Sequence, residues 1–275
     1  MAPLVDASDL PSKRQLSEIL AGLLRASDPD LRLGEAIREN GPVIVPFSLD
    51  LRPDPVTRNL SADLPPALAK AALDRVRRTG PDLLPVATGL RLPVQPLAAD
   101  ALLAHVTTVP DNTGVYRYDY PVLRYAHAYL PSLSLEAVRV FLGVPRSEVV
   151  VDLGKGVDLG ALHVPTDRGM RLLVNYYRPG TIERVSFADT LVGRVAPQTF
   201  AGKIVLVGVS ASGLGDAIPT PYDPSMPGVE RHATLIGNML RGEFLQRDER
   251  AVGIDALLLL IGGLLLACWP AGEWP

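Results

Sequence analysis

The sequence has 275 residues with a hydrophobic content of 47%, which is enough for one large folded domain or two small ones. Its 27 basic and 30 acidic residues give a formal net charge of −3, and this lack of basic excess argues against nucleic acid as the main partner. The single cysteine, Cys268, excludes an intrachain disulfide and does not reveal the redox compartment.

The first part of the chain alternates between predicted helices and strands. Apolar spacing predicts helices over 11–25 and 31–39, and a strand over 42–47 follows the Asn-Gly turn. Another helix is predicted after the prolines at 65–66. Because helix and strand succession with tight connections is typical of parallel units, we expect an α/β fold with a mixed β-sheet flanked by helices.

A β-hairpin is predicted next, with its second strand over 115–122. Tyr116, Tyr118 and Tyr120 lie on one side of that strand, since alternate residues share a face. A row of tyrosines is most often half-buried packing surface, and it also suits an interaction surface for a ligand or a protein partner.

The stretch from 200 to 245 organises the rest of the chain. An apolar run at 204–208 predicts a strand buried on both faces, and it leads into a long loop over 209–227. A helix is predicted over 228–241, and its apolar residues recur at helical spacing on one face: Val229, Ala233, Ile236 and Leu240. Ligands of open α/β sheets usually bind at the carboxyl ends of the strands, where this loop begins.

Four polar residues of that loop and helix are the candidate ligand-binding or loop-pinning residues: Asp216, Thr220, Asp223 and His232. Asp216 can satisfy loop N–H groups, and it can also form a charge-assisted pair with His232 that fixes the loop to the helix. The remaining histidines lack the spacing of metal ligands, so neither a metal nor a cofactor is predicted.

The glycine-containing loop at 208–216 leaves an alternative function open. It suits a Rossmann-like nucleotide-binding or phosphoester enzyme, although its glycines do not form Gly-x-Gly-x-x-Gly and Lys203 precedes the strand. The segment around Ser210 also lacks the second glycine of a nucleophile elbow.

The apolar stretch at 251–269 carries one charge, Asp255, and matches the roughly 20 residues that one bilayer crossing needs. We therefore predict a transmembrane helix there, following a domain over 4–246; a buried core helix is the alternative. Arg247 and Arg250 flank the predicted span, and they do not settle its orientation beside a large domain.

Several motifs resemble the second type of CHASE domain, the cyclase- and histidine-kinase-associated sensory extracellular module. The sequence GKIVLVG at 202–208, followed by a Gly-Leu, Asp216 and a Thr-Pro, is similar to the family's strand and loop. PGVERHA at 227–233 is similar to its helix start, and PSLSL at 131–135 to another of its helices. The turn from His105 to Arg117 also resembles the family's hairpin. The likeness covers roughly 30–247.

This resemblance implies an input domain and no catalytic activity of its own. It implies an extracytoplasmic, periplasmic sensor on a bacterial inner membrane that binds an unknown small molecule or protein. The signal would pass through the membrane helix to a cytoplasmic effector, an adenylate, guanylate or diguanylate cyclase or a protein kinase. We expect that effector and a first membrane helix to lie outside this fragment, and a homodimer is left open.

Overall fold

The computed structural model describes residues 17–18, 22, 27–51, 64–178, 180–210, 217–246 and 249–268. The described helices are α1 (Pro29–Glu39), α2 (Pro66–Ala69), α3 (Gln95–Ala98), α4 (Leu133–Phe141), α5 (Phe187–Leu191), α6 (Gly228–Arg241) and α7 (Glu249–Cys268). The described strands are β1 (Ile44–Asp50), β2 (Arg75–Arg77), β3 (Val86–Ala87), β4 (Gly89–Arg91), β5 (Leu102–His105), β6 (Tyr118–Asp119), β7 (Val122–Tyr125), β8 (Ala128–Pro131), β9 (Val149–Asp152), β10 (Gly156–Leu159), β11 (Leu162–Pro165), β12 (Leu172–Leu173), β13 (Ala217–Ile218) and β14 (Met226–Pro227).

Local chemistry fixes the ends of the main helices. The side chain of Asp28 accepts hydrogen bonds from two N–H groups of the first turn of α1, and the Ser132 hydroxyl accepts one from Leu135 at the start of α4. The long helix α6 stops at Gly242, whose φ of 67° lies in the left-handed region that glycine adopts without a steric penalty.

The mixed α/β class is confirmed, but the strands form several small sheets instead of one. β1 lies between antiparallel β4 and parallel β5, and β7 lies between parallel β3 and antiparallel β8. A four-stranded sheet has the order β11-β10-β9-β2, and β6 pairs with β12. His105, at the end of β5, forms a bridge with Ser132, so the β1 sheet meets the start of α4 there.

Two hydrophobic clusters hold these sheets together. The larger cluster packs α4 and α6 against the four-stranded sheet, with Leu135, Met239 and Val151 fully or almost fully buried. The smaller cluster lies between β1 and β7 and contains Phe47 and Leu123. Burial of such side chains is the main favourable term in folding, so α6 is anchored mainly through the larger cluster.

The predicted strand at 204–208 is wrong. Residues 204–210 belong to no strand, and Val205 and Val207 are 51% and 77% exposed. The apolar run predicted burial on both faces, but only Ile204 and Leu206 pack against the larger cluster. In the described part of the chain no strand hydrogen-bonds to this segment. The run therefore covers the core with one face only.

Two further predicted elements are shorter than expected. The helix after the prolines at 65–66 ends at Ala69, and strand β2 follows it. The second hairpin strand is reduced to Tyr118–Asp119, which pairs with β12. Tyr118 stacks under Arg171, with the guanidinium carbon 4.6 Å from the ring centre, so this tyrosine has a packing partner within the domain.

The apolar C-terminal segment forms the helix α7, and most of the side chains described in it are exposed, Leu259 at 78%. Across the described ranges, no helix is both long enough and apolar enough to cross a membrane. The predicted transmembrane helix over 251–269 is therefore not supported by the structure, and residue 269 lies outside the described residues.

Candidate functional site

Helix α6 separates two features that could serve a sensing function. The first two turns of α6 direct Val229 and Ala233 into an open groove. Arg231 and His232, on a different side of the same turns, are buried. Because residues one apart on a helix point about 100° away from each other, one short sequence contributes to both features.

The groove has a volume of about 550 Å³. Its walls come from 182–187, from 199–210 and from the start of α6. Most of the lining is apolar, and Phe187, Phe200 and Val229 contribute to it. A volume of this size lies within the range of small-molecule sites in proteins.

The charged groups at the groove form ion pairs with each other. Glu230, whose side chain is 9% exposed, pairs with the more exposed Arg184. The Lys203 ammonium lies 3.2 Å from a carboxylate oxygen of Glu183. Two positive and two negative groups therefore cancel, and the groove presents an apolar surface with a neutral rim.

Gly208 fixes how closely the segment 204–210 approaches α6. A Cβ atom on Gly208 would lie 2.6 Å from the Cβ of Val229, well inside van der Waals contact. The glycine therefore lets the segment contact the first turn of α6 directly, and a movement of either one changes the shape of the groove.

A buried ion pair lies on the other side of α6. The Arg231 Nη1 is 2.5 Å from the Asp119 Oδ1, and the two side chains are 2% and 1% exposed. The second carboxylate oxygen of Asp119 is buried without a hydrogen-bond partner among the described residues. Buried pairs of this kind add little net stability, but removing one partner leaves an uncompensated charge in the core.

Two buried histidines adjoin this pair. The His232 Nδ1 lies 3.0 Å from the Ser134 hydroxyl oxygen of α4. His105 is fully buried, and neither of its ring nitrogens has a hydrogen-bond partner among the described residues. Burial lowers the pKa of His105 to about 3, and burial together with the positive charge of Arg231 lowers the pKa of His232 to about 4. Both rings are therefore neutral at neutral pH.

The family model for the CHASE2 domain matches residues 7–269, which include the groove, the buried ion pair and both histidines. The chain belongs to the CHASE2 family. CHASE2 domains are extracellular sensory domains of signalling receptors, so the chain is a sensory module. Neither the search of curated proteins nor that of solved structures found a match.

The predicted site residues of this CHASE2 domain do not all meet. Thr220 and Asp223 bond to each other: the Thr220 hydroxyl donates to the Asp223 carbonyl oxygen at 2.9 Å and accepts from the Asp223 N–H at 3.0 Å. Within the described ranges no hydrogen bond links either residue to His232. Asp216 lies outside the described residues, so its proposed pair with His232 stays a prediction.

Sequence reasoning missed the partners that surround His232 in the CHASE2 domain. Asp119 belongs to β6, Ser134 to α4 and Arg231 to α6, so their approach depends on the packing of three elements. The one local signal was an arginine next to a histidine near the start of an apolar helix. A charged residue placed there needs a buried counter-ion or a solvent-exposed position.

The described residues contain no group of three or more His, Cys, Asp or Glu side chains arranged to hold a metal ion. The loop of the alternative nucleotide site is described only to Ser210. Lys203, which precedes this loop in the sequence, pairs with Glu183.

Proposed function

We propose that this CHASE2 domain is the ligand-sensing input of a bacterial receptor and that its ligand binds in the groove beside α6. The proposal rests on the contribution of α6 to both features. Val229 and Ala233 of this helix line the groove, and its Arg231 belongs to the buried ion pair in the core. A ligand that fills the groove differently in two arrangements of α6 would shift the balance between them.

The C-terminal half of α6 supplies the path toward α7. The Asn238 side chain accepts a hydrogen bond from the Asn175 N–H and donates one to the Asn175 carbonyl oxygen, each at 3.0 Å. Just beyond α6, the Tyr177 hydroxyl lies 2.8 Å from Glu243, and Leu245 forms a bridge with Leu173. Few residues then separate α6 from α7, so a shift of α6 would be transmitted to α7.

The effector in this proposal is a nucleotide cyclase, a diguanylate cyclase or a protein kinase on the cytoplasmic side, with the sensory domain in the periplasm. The family resemblance supports this arrangement. Attachment of the chain to the membrane is a separate part of this proposal. Alkaline carbonate extraction of cell membranes should leave the full chain in the pellet; recovery in the soluble fraction would remove the membrane anchor from the proposal.

Filling the groove tests the sensing function. Ala233→Leu adds a larger side chain to the groove wall and should fix the full-length receptor in one output state. A typical coupling of 1–3 kcal/mol predicts a change in effector output of about fivefold or more. Ala36→Leu, on the exposed face of α1, is the matched control and should leave the output unchanged.

The same pair of variants tests transmission. Spin labels at Leu240→Cys and Ile254→Cys, both exposed positions, report the distance between α6 and α7 in a Cys268→Ser background. We expect Ala233→Leu to shift the distance distribution and Ala36→Leu to leave it unchanged. Identical distributions together with an unchanged output would overturn the proposal.

A further inference from the structure

The segment 204–210 has the properties of an unpaired sheet edge. Its residues alternate in direction: Ile204 and Leu206 are half-buried and a Cβ on Gly208 would point at Val229, whereas Val205, Val207 and Val209 are exposed. This alternation is that of an extended chain. No backbone hydrogen bond joins the segment to another residue in the part of the chain that the structure describes.

Exposed apolar side chains lie along this edge and on helix α5, which lines the same groove. Val205, Val207 and Val209 are 51%, 77% and 55% exposed, and Phe187 and Leu191 of the neighbouring helix α5 are 63% and 72% exposed. Contiguous apolar patches on a folded surface mark interaction sites. The N–H and C=O groups without a partner among the described residues narrow the choice of partner, because a second strand can bond those along one edge in register and an apolar small molecule cannot.

The sequence of the segment favours a second copy of itself as that strand. It reads IVLVGVS and carries no charge, so no like charges oppose each other when two copies align. Its exposed valines are also symmetric about Val207. In an antiparallel alignment centred there, each Val207 faces the other Val207 and each Val205 faces a Val209.

We propose that two copies of this chain associate by antiparallel pairing of their 204–210 segments, centred on Val207. Antiparallel pairing of identical segments has a twofold axis, so the contact closes as a dimer and does not propagate into a fibre. The flanking Phe187 and Leu191 enlarge the apolar contact. Each groove is lined in part by 204–208, so the second copy would complete its outer wall.

This pairing goes beyond the proposed function and does not depend on it, because no ligand is needed for it. Disulfide crosslinking tests the register in the full 275-residue chain, purified in mild detergent with the only native cysteine removed by Cys268→Ser. Copper-phenanthroline and oxygen oxidise two thiols to one disulfide and accept the two electrons and two protons that are released.

Val207→Cys should crosslink to itself about tenfold or more faster than Val94→Cys, because pairing holds the two thiols at a high effective concentration. Val94 is the matched control, since it is a 50% exposed valine outside the segment. Val205→Cys alone should crosslink slowly, and a mixture with Val209→Cys should form the mixed dimer quickly. Equal rates for Val207→Cys and Val94→Cys would overturn the proposal.

Sedimentation gives a second measurement that does not use cysteine. The unmodified chain should sediment as a dimer at micromolar concentration, and Val207→Lys should halve that mass while its circular dichroism stays unchanged. The exposed control Val94→Lys should remain a dimer. A monomer at all concentrations for the unmodified chain, which a strand from another protein as natural partner would also give, would overturn the proposal.

Discussion

The buried ion pair between Arg231 and Asp119 gives a sharp prediction at the scale of single residues. Arg231→Met leaves the Asp119 carboxylate in the core without a counter-ion, so we expect it to lower the free energy of unfolding by about 3–5 kcal/mol. The double variant with Asp119→Leu removes both charges and should recover most of that loss. Urea denaturation of the four proteins of this cycle measures both changes.

Additive losses in the double variant would contradict this account, because they would mean that the two side chains do not interact. Arg171→Met is the control. Its guanidinium pairs with Asp167 near the surface, so the same substitution there should cost much less.

The two buried histidines predict a stability that falls with acidity. Their pKa values lie near 3 and 4 in the folded chain, against 6.5 when unfolded, so the unfolded chain binds more protons below pH 6.5. Stability is therefore fully present above pH 6.5 and is lost as the pH falls toward 4. The loss approaches about 1.4 kcal/mol per pH unit for each histidine.

Denaturant titrations between pH 6.5 and pH 5 measure this slope, in a range above the ordinary carboxyl pKa values of about 3.9 and 4.3. His105→Phe should reduce the slope by about half, because one titrating group remains. The exposed His127 is the control, and His127→Phe should leave the slope unchanged. An unaltered slope in His105→Phe would show that His105 does not cause the acid sensitivity.

At the scale of elements, the contact between the segment 204–210 and α6 predicts a specific rescue. Gly208→Ala places a methyl group against Val229 and should cost about 1–3 kcal/mol, as other overpacked contacts do. Val229→Gly in the same chain removes the Cβ that the new methyl group would meet, so Gly208→Ala should cost much less in the Val229→Gly background than in the unmodified chain. Ser210→Ala, in the same exposed segment, should change the stability little.

Thermal or urea unfolding measures the cost, and hydrogen exchange of 204–210 locates it. If Gly208→Ala costs nothing, or if it costs as much in the Val229→Gly background as in the unmodified chain, then the segment and the helix are not in the close contact described above.

The same two elements show which features could be predicted from the sequence. The helix over 228–241 is confirmed because its spacing, its proline entry and its glycine exit are local signals. Its buried face was predicted poorly: Leu240 is 38% exposed, whereas Arg231 and Asn238 are buried. Those two polar residues are buried because distant partners satisfy them, and no local pattern reveals distant partners.

The strand prediction for 204–208 was wrong for a related reason. An apolar, β-branched run has the propensity for a strand, but a strand also needs a neighbour to bond. Likewise Thr220 and Asp223 were predicted as site residues because they are polar and lie in a loop, and the structure shows that they close a turn with each other. Their residue types suggested ligand binding, but their positions in the turn commit these groups to hydrogen bonds with each other.

At the scale of the whole molecule, the α/β class and the CHASE2 family were both predictable, since the succession of helices and strands indicates the class and several different motifs along most of the chain indicate the family. The division into several small sheets was not. It depends on pairings such as β2 with β9 and β6 with β12, which join residues far apart in sequence. Such long-range pairing is set by tertiary packing, which single-sequence patterns do not encode.

The double hydrogen bond between Asn238 and the backbone of Asn175 has a mechanical consequence. It holds α6 close to one end. If α6 tilts about this bond, the pivot leaves a long arm of about 15 Å to Gly228 and a short arm of about 4.5 Å to Arg241. A swing of 2 Å at the long arm would then move the short arm by about 0.6 Å, with a proportionate gain in force. The C-terminal end of α6 should therefore move less than its N-terminal end and act on the following residues with a larger force.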